Sequence, residues 1–149
     1  MSKNENKSKM KKWVMHILFV VYLAVVLRIT VFRSDFSLQN FLQGGNINLS
    51  LFVGYVPILA SGSWWMFCYL FFGNILWFVP LGIYLECMGQ AKGLWQAVIL
   101  GFLFSLCIET LQYVFATGYS ELDDLVLNTL GVWLGAAGMR KAKKYKRSQ

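Results

Sequence analysis

Charged residues are scarce in this 149-residue chain, where they make up 14% of the sequence against about 25% in a typical soluble domain. Hydrophobic residues make up 57% and aromatic residues 17%. Such high hydrophobicity excludes an intrinsically disordered chain, and so little charge argues against a soluble domain. We therefore expect an integral membrane protein.

Cysteine and histidine are also rare. Three cysteines cannot cross-link a chain of this length, which excludes a disulfide-stabilised scaffold. The single histidine, His16, has no His or Cys at metal-ligand spacing, and the sequence offers neither a glycine-rich phosphate loop nor a nucleophile with an adjacent base. We therefore expect no metal site and no cofactor, and a non-enzymatic function is favoured over an enzymatic one.

The net charge is +7, and eleven of the fourteen lysines and arginines lie at the two ends of the chain. The basic residues of the ends are Lys3, Lys7, Lys9, Lys11 and Lys12, and Arg140, Lys141, Lys143, Lys144, Lys146 and Arg147. Basic ends that flank an apolar body are typical of membrane topology signals and do not form a nucleic-acid-binding face. We expect no nucleic-acid partner, whereas membrane lipids are expected partners.

Four apolar stretches are long enough, or nearly long enough, to cross a bilayer as helices: residues 13–32, 64–85, 94–115 and 124–139. A fifth stretch, residues 49–60, is too short to span and contains both glycine and proline, so it is predicted to be interfacial or re-entrant. The predicted fold is all-α, a polytopic transmembrane helical bundle with about four spanning helices and this short segment.

This pattern divides the chain into a transmembrane domain at residues 13–139 and basic tails at residues 1–12 and 140–149. An even number of crossings places both tails on one side of the membrane, and their positive charge predicts that this side is the cytoplasm. The segment at residues 33–63 and the turn at residues 116–121 are then external.

Polar side chains recur on one face of the third predicted helix. Ser105, Glu109 and Gln112 follow one another at spacings of four and three residues, so they form a stripe that faces protein, not lipid. A carboxylate inside a membrane helix is costly, so Glu109 is predicted to be functional. An alternative reading of neutral members such as Ser105 is that they only hold helices together.

The neighbouring helices carry matching polar residues. Asp124 and Asn128 share one face of the fourth predicted helix, Asp123 precedes them, and Asn74 lies on the second. We expect these residues to converge with Glu109 and Gln112 in the outer half of the bundle. Arg28 lies at a similar depth on the first helix, and an ion pair between Arg28 and Glu109 would neutralise both charges.

Two glycines on the fourth predicted helix, Gly131 and Gly135, form a small-xxx-small element. Such an element lets a second helix backbone approach closely. We expect Gly131 and Gly135 to form a helix contact, either within the chain or with a second copy of it.

Three segments in the same order resemble the signatures of VanZ-like proteins. Residues 73–82 read GNILWFVPLG, residues 105–112 read SLCIETLQ and residues 123–135 read DDLVLNTLGVWLG. The resemblance covers roughly residues 46–138. Relatives often carry an arginine just before the acidic cluster, where this chain has Gly118 and Tyr119.

The resemblance implies a small multi-pass protein of the bacterial cell membrane, in a family whose founding member is associated with resistance to the glycopeptide teicoplanin. The leading hypothesis is a protein that acts at the outer leaflet and modifies the interaction of such antibiotics with the cell envelope. The alternative is a membrane enzyme for a lipid-linked envelope substrate, with Glu109 and Asp124 as acid and base or as metal ligands. The candidate partners are accordingly a glycopeptide antibiotic or a lipid-linked cell-wall precursor.

Overall fold

The computed structural model describes the backbone of residues 3–149 and the side chains of residues 5–149. Five α-helices dominate it, confirming the predicted all-α class. In chain order the helices and strands are α1 (Lys3–Thr30), a 3-10 helix (Leu38–Asn40), β1 (Asn46–Asn48), α2 (Tyr55–Ala60), α3 (Trp64–Cys87), α4 (Leu94–Phe115), β2 (Tyr119–Glu121) and α5 (Leu122–Arg147).

Three helices in the described chain are long and apolar enough to cross a membrane: Glu5–Thr30 within α1, Trp64–Cys87 and Leu94–Phe115. Their most apolar stretches have mean hydropathies of 2.1, 1.8 and 1.8. Helix α5, the fourth predicted span, is not among them because its last two turns are strongly basic and its first turn is acidic. The apolar part of α5 is short, and the neighbouring helices bury much of it.

Helix α5 lies alongside α3 and runs in the same direction. Near its start Asp124 accepts a hydrogen bond from Asn74 of α3, and near its end Arg140 bonds Glu86 of α3. Helix α5 therefore lies along α3 from Asn74 to Glu86. We refer to the end of the bundle that holds the beginnings of α3 and α5 as the acidic end, and to the other as the basic end.

Glycine makes the α3–α5 contact possible. A β-carbon on Gly131 would overlap the carbonyl oxygen of Ile75, and one on Gly135 would overlap that of Val79. Gly82 of α3 contributes from the opposite side, since its β-carbon would lie 2.7 Å from the backbone nitrogen of Ala136. The small-xxx-small element is thus occupied within the chain, and two helix backbones touch there without intervening side chains.

Helix α1 packs antiparallel to α3. The Tyr22 hydroxyl donates to the Trp77 carbonyl at 2.8 Å, and His16 Nδ1 lies 2.7 Å from the Tyr84 hydroxyl. Met88, just after α3, shares a surface pocket with lysines of α1. Both basic segments therefore lie at the same end of the bundle. They are helical, so the predicted tails at residues 1–12 and 140–149 continue α1 and α5 over the described residues.

The segment between α1 and α3 folds over the acidic end. Its strand β1 pairs in parallel with β2, with Asn46 opposite Tyr119 and Asn48 opposite Glu121. This two-stranded pairing is absent from the all-helical prediction. In the predicted interfacial segment, residues 49–60, only α2 is helical, and Tyr55 is buried against the rings of Phe67 and Phe71.

Candidate functional site

A cavity of about 490 Å³ opens at the acidic end, bounded by α1, α2, α3, the end of α4, β2 and the start of α5. Its volume is within the range of about 300–1,000 Å³ that is usual for small-molecule sites. The polar side chains on its walls are Thr30, Arg33, Asn74, Gln112, Glu121, Asp123 and Asp124, and the apolar and aromatic ones are Ile29, Tyr55, Ile58, Tyr69, Leu70, Trp77 and Tyr119. The cavity therefore combines a charged wall with a wall suited to lipid.

Glu109, the most strongly favoured functional residue in the sequence, does not line this cavity. Its Oε2 accepts a hydrogen bond from the backbone N–H of Glu121 at 2.9 Å, and its own carbonyl accepts one from Ser120 Oγ at 2.9 Å. Two adjacent residues of β2 are thus fixed to α4. The carboxylate of Glu109 positions the strand that carries Glu121 into the cavity wall.

The aspartate pair holds the surrounding segments together. Asp123 Oδ1 accepts from the backbone N–H of Phe52 at 2.7 Å, which fixes the loop before α2 in a left-handed turn with φ of 58° at Phe52. Asp124 Oδ1 accepts from Asn74 Nδ2 across the α3–α5 contact. Both aspartates lie in the first turn of α5, where the helix dipole favours negative charge. Each therefore has a structural partner and still lines the cavity.

Gln112 and Asn128 are both buried, at 6% and 4% exposure, but they lie in different places. Gln112 Nε2 donates to the Thr30 carbonyl at 3.3 Å, and the side chain lines the cavity. Asn128 Nδ2 donates to Ser105 Oγ at 2.9 Å deeper in the bundle, away from the cavity. The structure thus gives Asn128 the helix-linking contact that was the alternative reading of the neutral polar stripe.

The expected ion pair between Arg28 and Glu109 is not found. Arg28 is exposed, and its Nη1 donates to the carbonyl of Phe32 on its own side of α1. The arginine that reaches the cavity is Arg33, which follows the end of α1. Its Nη1 would lie 3.3 Å from a β-carbon on Gly118, so the guanidinium lies over the glycine that precedes β2. Tertiary folding thus places an arginine beside the acidic cluster.

The charges on the described cavity wall are unequal, since the carboxylates of Glu121, Asp123 and Asp124 line it together with one guanidinium, that of Arg33. The negative charge affects the hydroxyl of Tyr55, which also lines the cavity. Burial raises the pKa of its hydroxyl above the usual range, and the neighbouring Asp124, Asp123 and Glu121 raise it further. The Tyr55 hydroxyl therefore stays protonated in an electronegative pocket.

Several residues that line the cavity were not predicted from the sequence, notably Arg33, Glu121 and Tyr55. Glu121 could have been predicted because it lies close in sequence to Asp123 and Asp124. No feature of the local sequence indicates that Arg33 or Tyr55 belongs to the site. Among the side chains that the structure describes, no group of three or more His, Cys, Asp or Glu residues is arranged to hold a metal ion. What the site offers chemically is a set of hydrogen-bond acceptors and one cation.

Comparison with known proteins identifies the family of the chain. The sequence model of the VanZ/LLP1 family matches residues 19–142, which include the cavity and four of the five helices wholly or in large part. The chain belongs to the VanZ/LLP1 family. Protein VanZ of Enterococcus faecium is 24% identical to it over 118 residues, which are 79% of this chain and 68% of that protein. No solved structure matches.

The VanZ/LLP1 match extends the region of resemblance beyond residues 46–138. It takes in the second half of α1, with Thr30 and Arg33 of the cavity wall, and α5 as far as the Arg140 contact with Glu86. The VanZ/LLP1 family therefore spans every element that bounds the cavity.

Proposed function

We propose that this VanZ/LLP1-family protein acts at the outer face of the bacterial membrane, where it lowers the action of glycopeptide antibiotics such as teicoplanin. Three apolar helices and family membership support a membrane protein of this type. The positive-inside rule puts the basic end, with both basic helix termini, in the cytoplasm. The acidic end and its cavity then face outward, where such antibiotics arrive.

The observation that carries this proposal is the position of the cavity. It lies between α1 and α3, two helices with lipid-compatible surfaces, and beside the charged start of α5. A molecule held there would have one part in the outer leaflet and another among charged groups. This arrangement suits an envelope component or an acylated antibiotic better than a water-soluble ligand.

The alternative, a membrane enzyme with Glu109 and Asp124 as acid and base, receives less support from the geometry. Glu109 Oε2 is engaged by the Glu121 backbone and faces β2. A general acid or base must come within hydrogen-bonding distance of the reacting atoms. Of these two carboxylates, only Asp124 lines the cavity.

The test is to express the full-length chain in a teicoplanin-sensitive host and measure the inhibitory concentrations of teicoplanin and of a glycopeptide without an acyl chain. The wild-type chain should raise the first more than the second. The double variant Glu121→Gln/Asp124→Asn should lose the effect, while Asp35→Asn, an exposed carboxylate outside the cavity, should retain it.

Immunoblots of membrane fractions must accompany each susceptibility measurement. An unchanged teicoplanin inhibitory concentration with the wild-type protein present in the membrane would reject the proposal. Full protection by the double variant would reject the role of the cavity.

A further inference from the structure

Gln112 lines the cavity and has a buried hydrogen-bond acceptor without a partner. Its Nε2 faces the Thr30 carbonyl, which can only accept, so the amide orientation is determined and the oxygen points the other way. Oε1 is buried and has no hydrogen-bond partner among the described residues. A buried acceptor without a partner costs about 1–3 kcal/mol. A ligand whose donor reached Oε1 from the cavity would remove that cost.

Acceptors also dominate the wall around Gln112. In the contacts that the structure shows, Glu121 uses Oε1 to accept from Asn48, and Asp124 uses Oδ1 to accept from Asn74. The second oxygen of each carboxylate adds to the acceptor capacity of the wall. Carboxylates bind N⁺–H donors through short, strong hydrogen bonds. This wall therefore suits a protonated amine.

Aromatic rings add to the attraction for a cation. Tyr69, Trp77 and Tyr119 line the same cavity. A cation over such a ring gains roughly 0.5–2 kcal/mol, depending on how far it is desolvated. The rings and the carboxylates thus favour the same charge.

Arg33 adds a subsite of opposite sign. It forms no ion pair with any residue that the structure describes, although it shares a cavity with three carboxylates. A guanidinium binds phosphate or carboxylate groups through paired hydrogen bonds. A ligand that satisfies both subsites carries an ammonium and an anionic group.

The remaining wall is apolar and partly open. Ile29 of α1 is 41% exposed, and Leu70 and Trp77 of α3 are 37% and 44% exposed, although all three line the cavity. In a membrane these surfaces contact acyl chains. A hydrocarbon tail could leave the cavity between α1 and α3 and enter the outer leaflet.

We propose that the cavity binds a zwitterionic amphiphile, with its ammonium on Gln112 Oε1 and the carboxylates, its phosphate or carboxylate on Arg33, and its acyl chain between α1 and α3. This inference rests on the proposed function for the side of the membrane that the cavity faces, and it adds the chemical class of the ligand. Two sources have this chemistry, an aminophospholipid headgroup and an acylated glycopeptide with a free amine and a carboxylate.

Native mass spectrometry of the full-length protein in detergent tests the ligand class. The lipid probes are phosphatidylethanolamine, phosphatidylcholine and phosphatidylglycerol with identical acyl chains, and teicoplanin is the antibiotic probe. Phosphatidylethanolamine should bind at least tenfold more tightly than phosphatidylcholine, which has no N–H donor, or phosphatidylglycerol, which has no cation. If the ligand is instead the antibiotic, teicoplanin should bind, and the protein should not prefer phosphatidylethanolamine over the other two lipids.

Variants identify the subsites. Gln112→Leu should reduce binding of the preferred probe by at least fivefold, and Arg33→Gln should do the same through the anionic group. Arg28→Gln is the matched control, because Arg28 lies five residues before Arg33, in the last turn of α1, but outside the cavity. Thermal unfolding of each variant verifies that it is folded. If Gln112→Leu fails to fold, Arg33→Gln, at an exposed position after α1, carries the test alone.

Preferential binding of either phosphatidylethanolamine or teicoplanin, lost in Gln112→Leu and Arg33→Gln, supports the inference and identifies the source. Equal binding of all three lipids without teicoplanin binding overturns it, as does unchanged binding in both variants. Susceptibility is measured separately. A protein that protects cells but shows no such preference retains the proposed function and loses this ligand class.

Discussion

Gly131 of α5 lies directly against Ile75 of α3: a β-carbon at residue 131 would be 3.0 Å from the carbonyl carbon of Ile75 and would overlap its oxygen. The two helices therefore touch through their backbones at this point. Because α5 is less apolar than the other long helices, its place in the bundle depends on this close contact and on the polar bonds at either end.

Replacing Gly131 with alanine should lower the free energy of unfolding by about 1–3 kcal/mol or more, because the added methyl group forces α3 and α5 apart. The loss should outweigh the gain of about 1 kcal/mol that alanine brings to a helix. Gly138→Ala is the matched control, since a β-carbon there meets no atom within 4 Å. Thermal unfolding in detergent measures both variants, and equal stability of Gly131→Ala and wild type would refute the close contact.

Arg140 and Glu86 close the basic end of the same helix pair. The Glu86 side chain is 7% exposed and the Arg140 side chain 42%, and Lys143 Nζ donates to the Glu86 carbonyl. Arg140→Gln should cost about 1–3 kcal/mol, less than a fully buried pair because solvent screens Arg140. Adding Glu86→Gln to that variant should recover part of the loss.

A double-mutant cycle on unfolding in detergent measures this coupling. Lys141→Gln, at the neighbouring exposed position, should leave stability within about 0.5 kcal/mol of wild type. Additive losses in the cycle would show that the two charges do not stabilise one another.

The sequence predicted features that repeat along a single helix. The bounds of α4 agree with the predicted residues 94–115, because a largely apolar run begins just after Gly93 and ends just before Ala116. The spacing of Ser105, Glu109 and Gln112 predicted a protein-facing stripe, and all three side chains are buried. Helical periodicity determines which side chains share a face, so such features follow from local sequence.

Contacts between distant segments were not predictable in the same way. Arg28 and Arg33 are five residues apart, but α1 ends at Thr30, so only Arg33 follows the turn toward the cavity. Glu109 was predicted to lie in the site, yet its role depends on β2, which pairs with a segment more than 70 residues earlier. No periodic pattern encodes a pairing of that kind.

The contact between Glu109 and Glu121 makes a prediction that separates a positioning role from a catalytic one. Glu109→Gln retains an acceptor for the Glu121 N–H and should keep most stability and antibiotic protection. Glu109→Leu leaves that N–H unpaired at a cost of about 1–3 kcal/mol and should reduce both. Thr110→Ala, the exposed neighbour, is the control. Complete loss of protection in a stable Glu109→Gln would instead favour the enzymatic alternative.

The topology can be tested by cysteine labelling in a variant whose native cysteines are replaced by serine. Ser34→Cys and Ser63→Cys, before and after the segment at the acidic end, should react with an impermeant reagent in intact cells. Gln90→Cys and Gln149→Cys should react only after permeabilisation, because both lie at the basic end. Gln90 serves as the internal reference, and labelling of Gln149 alone in intact cells would mean that α5 does not cross.

Gly73 allows the cavity to be filled without disturbing the fold. It lines the cavity, and a β-carbon there meets no atom within 4 Å. Gly73→Leu should leave stability unchanged or raise it by up to about 1 kcal/mol, because glycine is a poor helix former. The new side chain would nevertheless occupy space in the cavity, so protection against teicoplanin should be lost.

Gly138→Leu controls for the substitution itself, because Gly138 is equally open but lies away from the cavity, toward the basic end of α5. It should retain protection. The comparison distinguishes the effect of filling the cavity from an effect on folding, since a variant that is at least as stable as wild type cannot lose function through unfolding. Normal protection by a stable Gly73→Leu would mean that the protein does not act through the cavity.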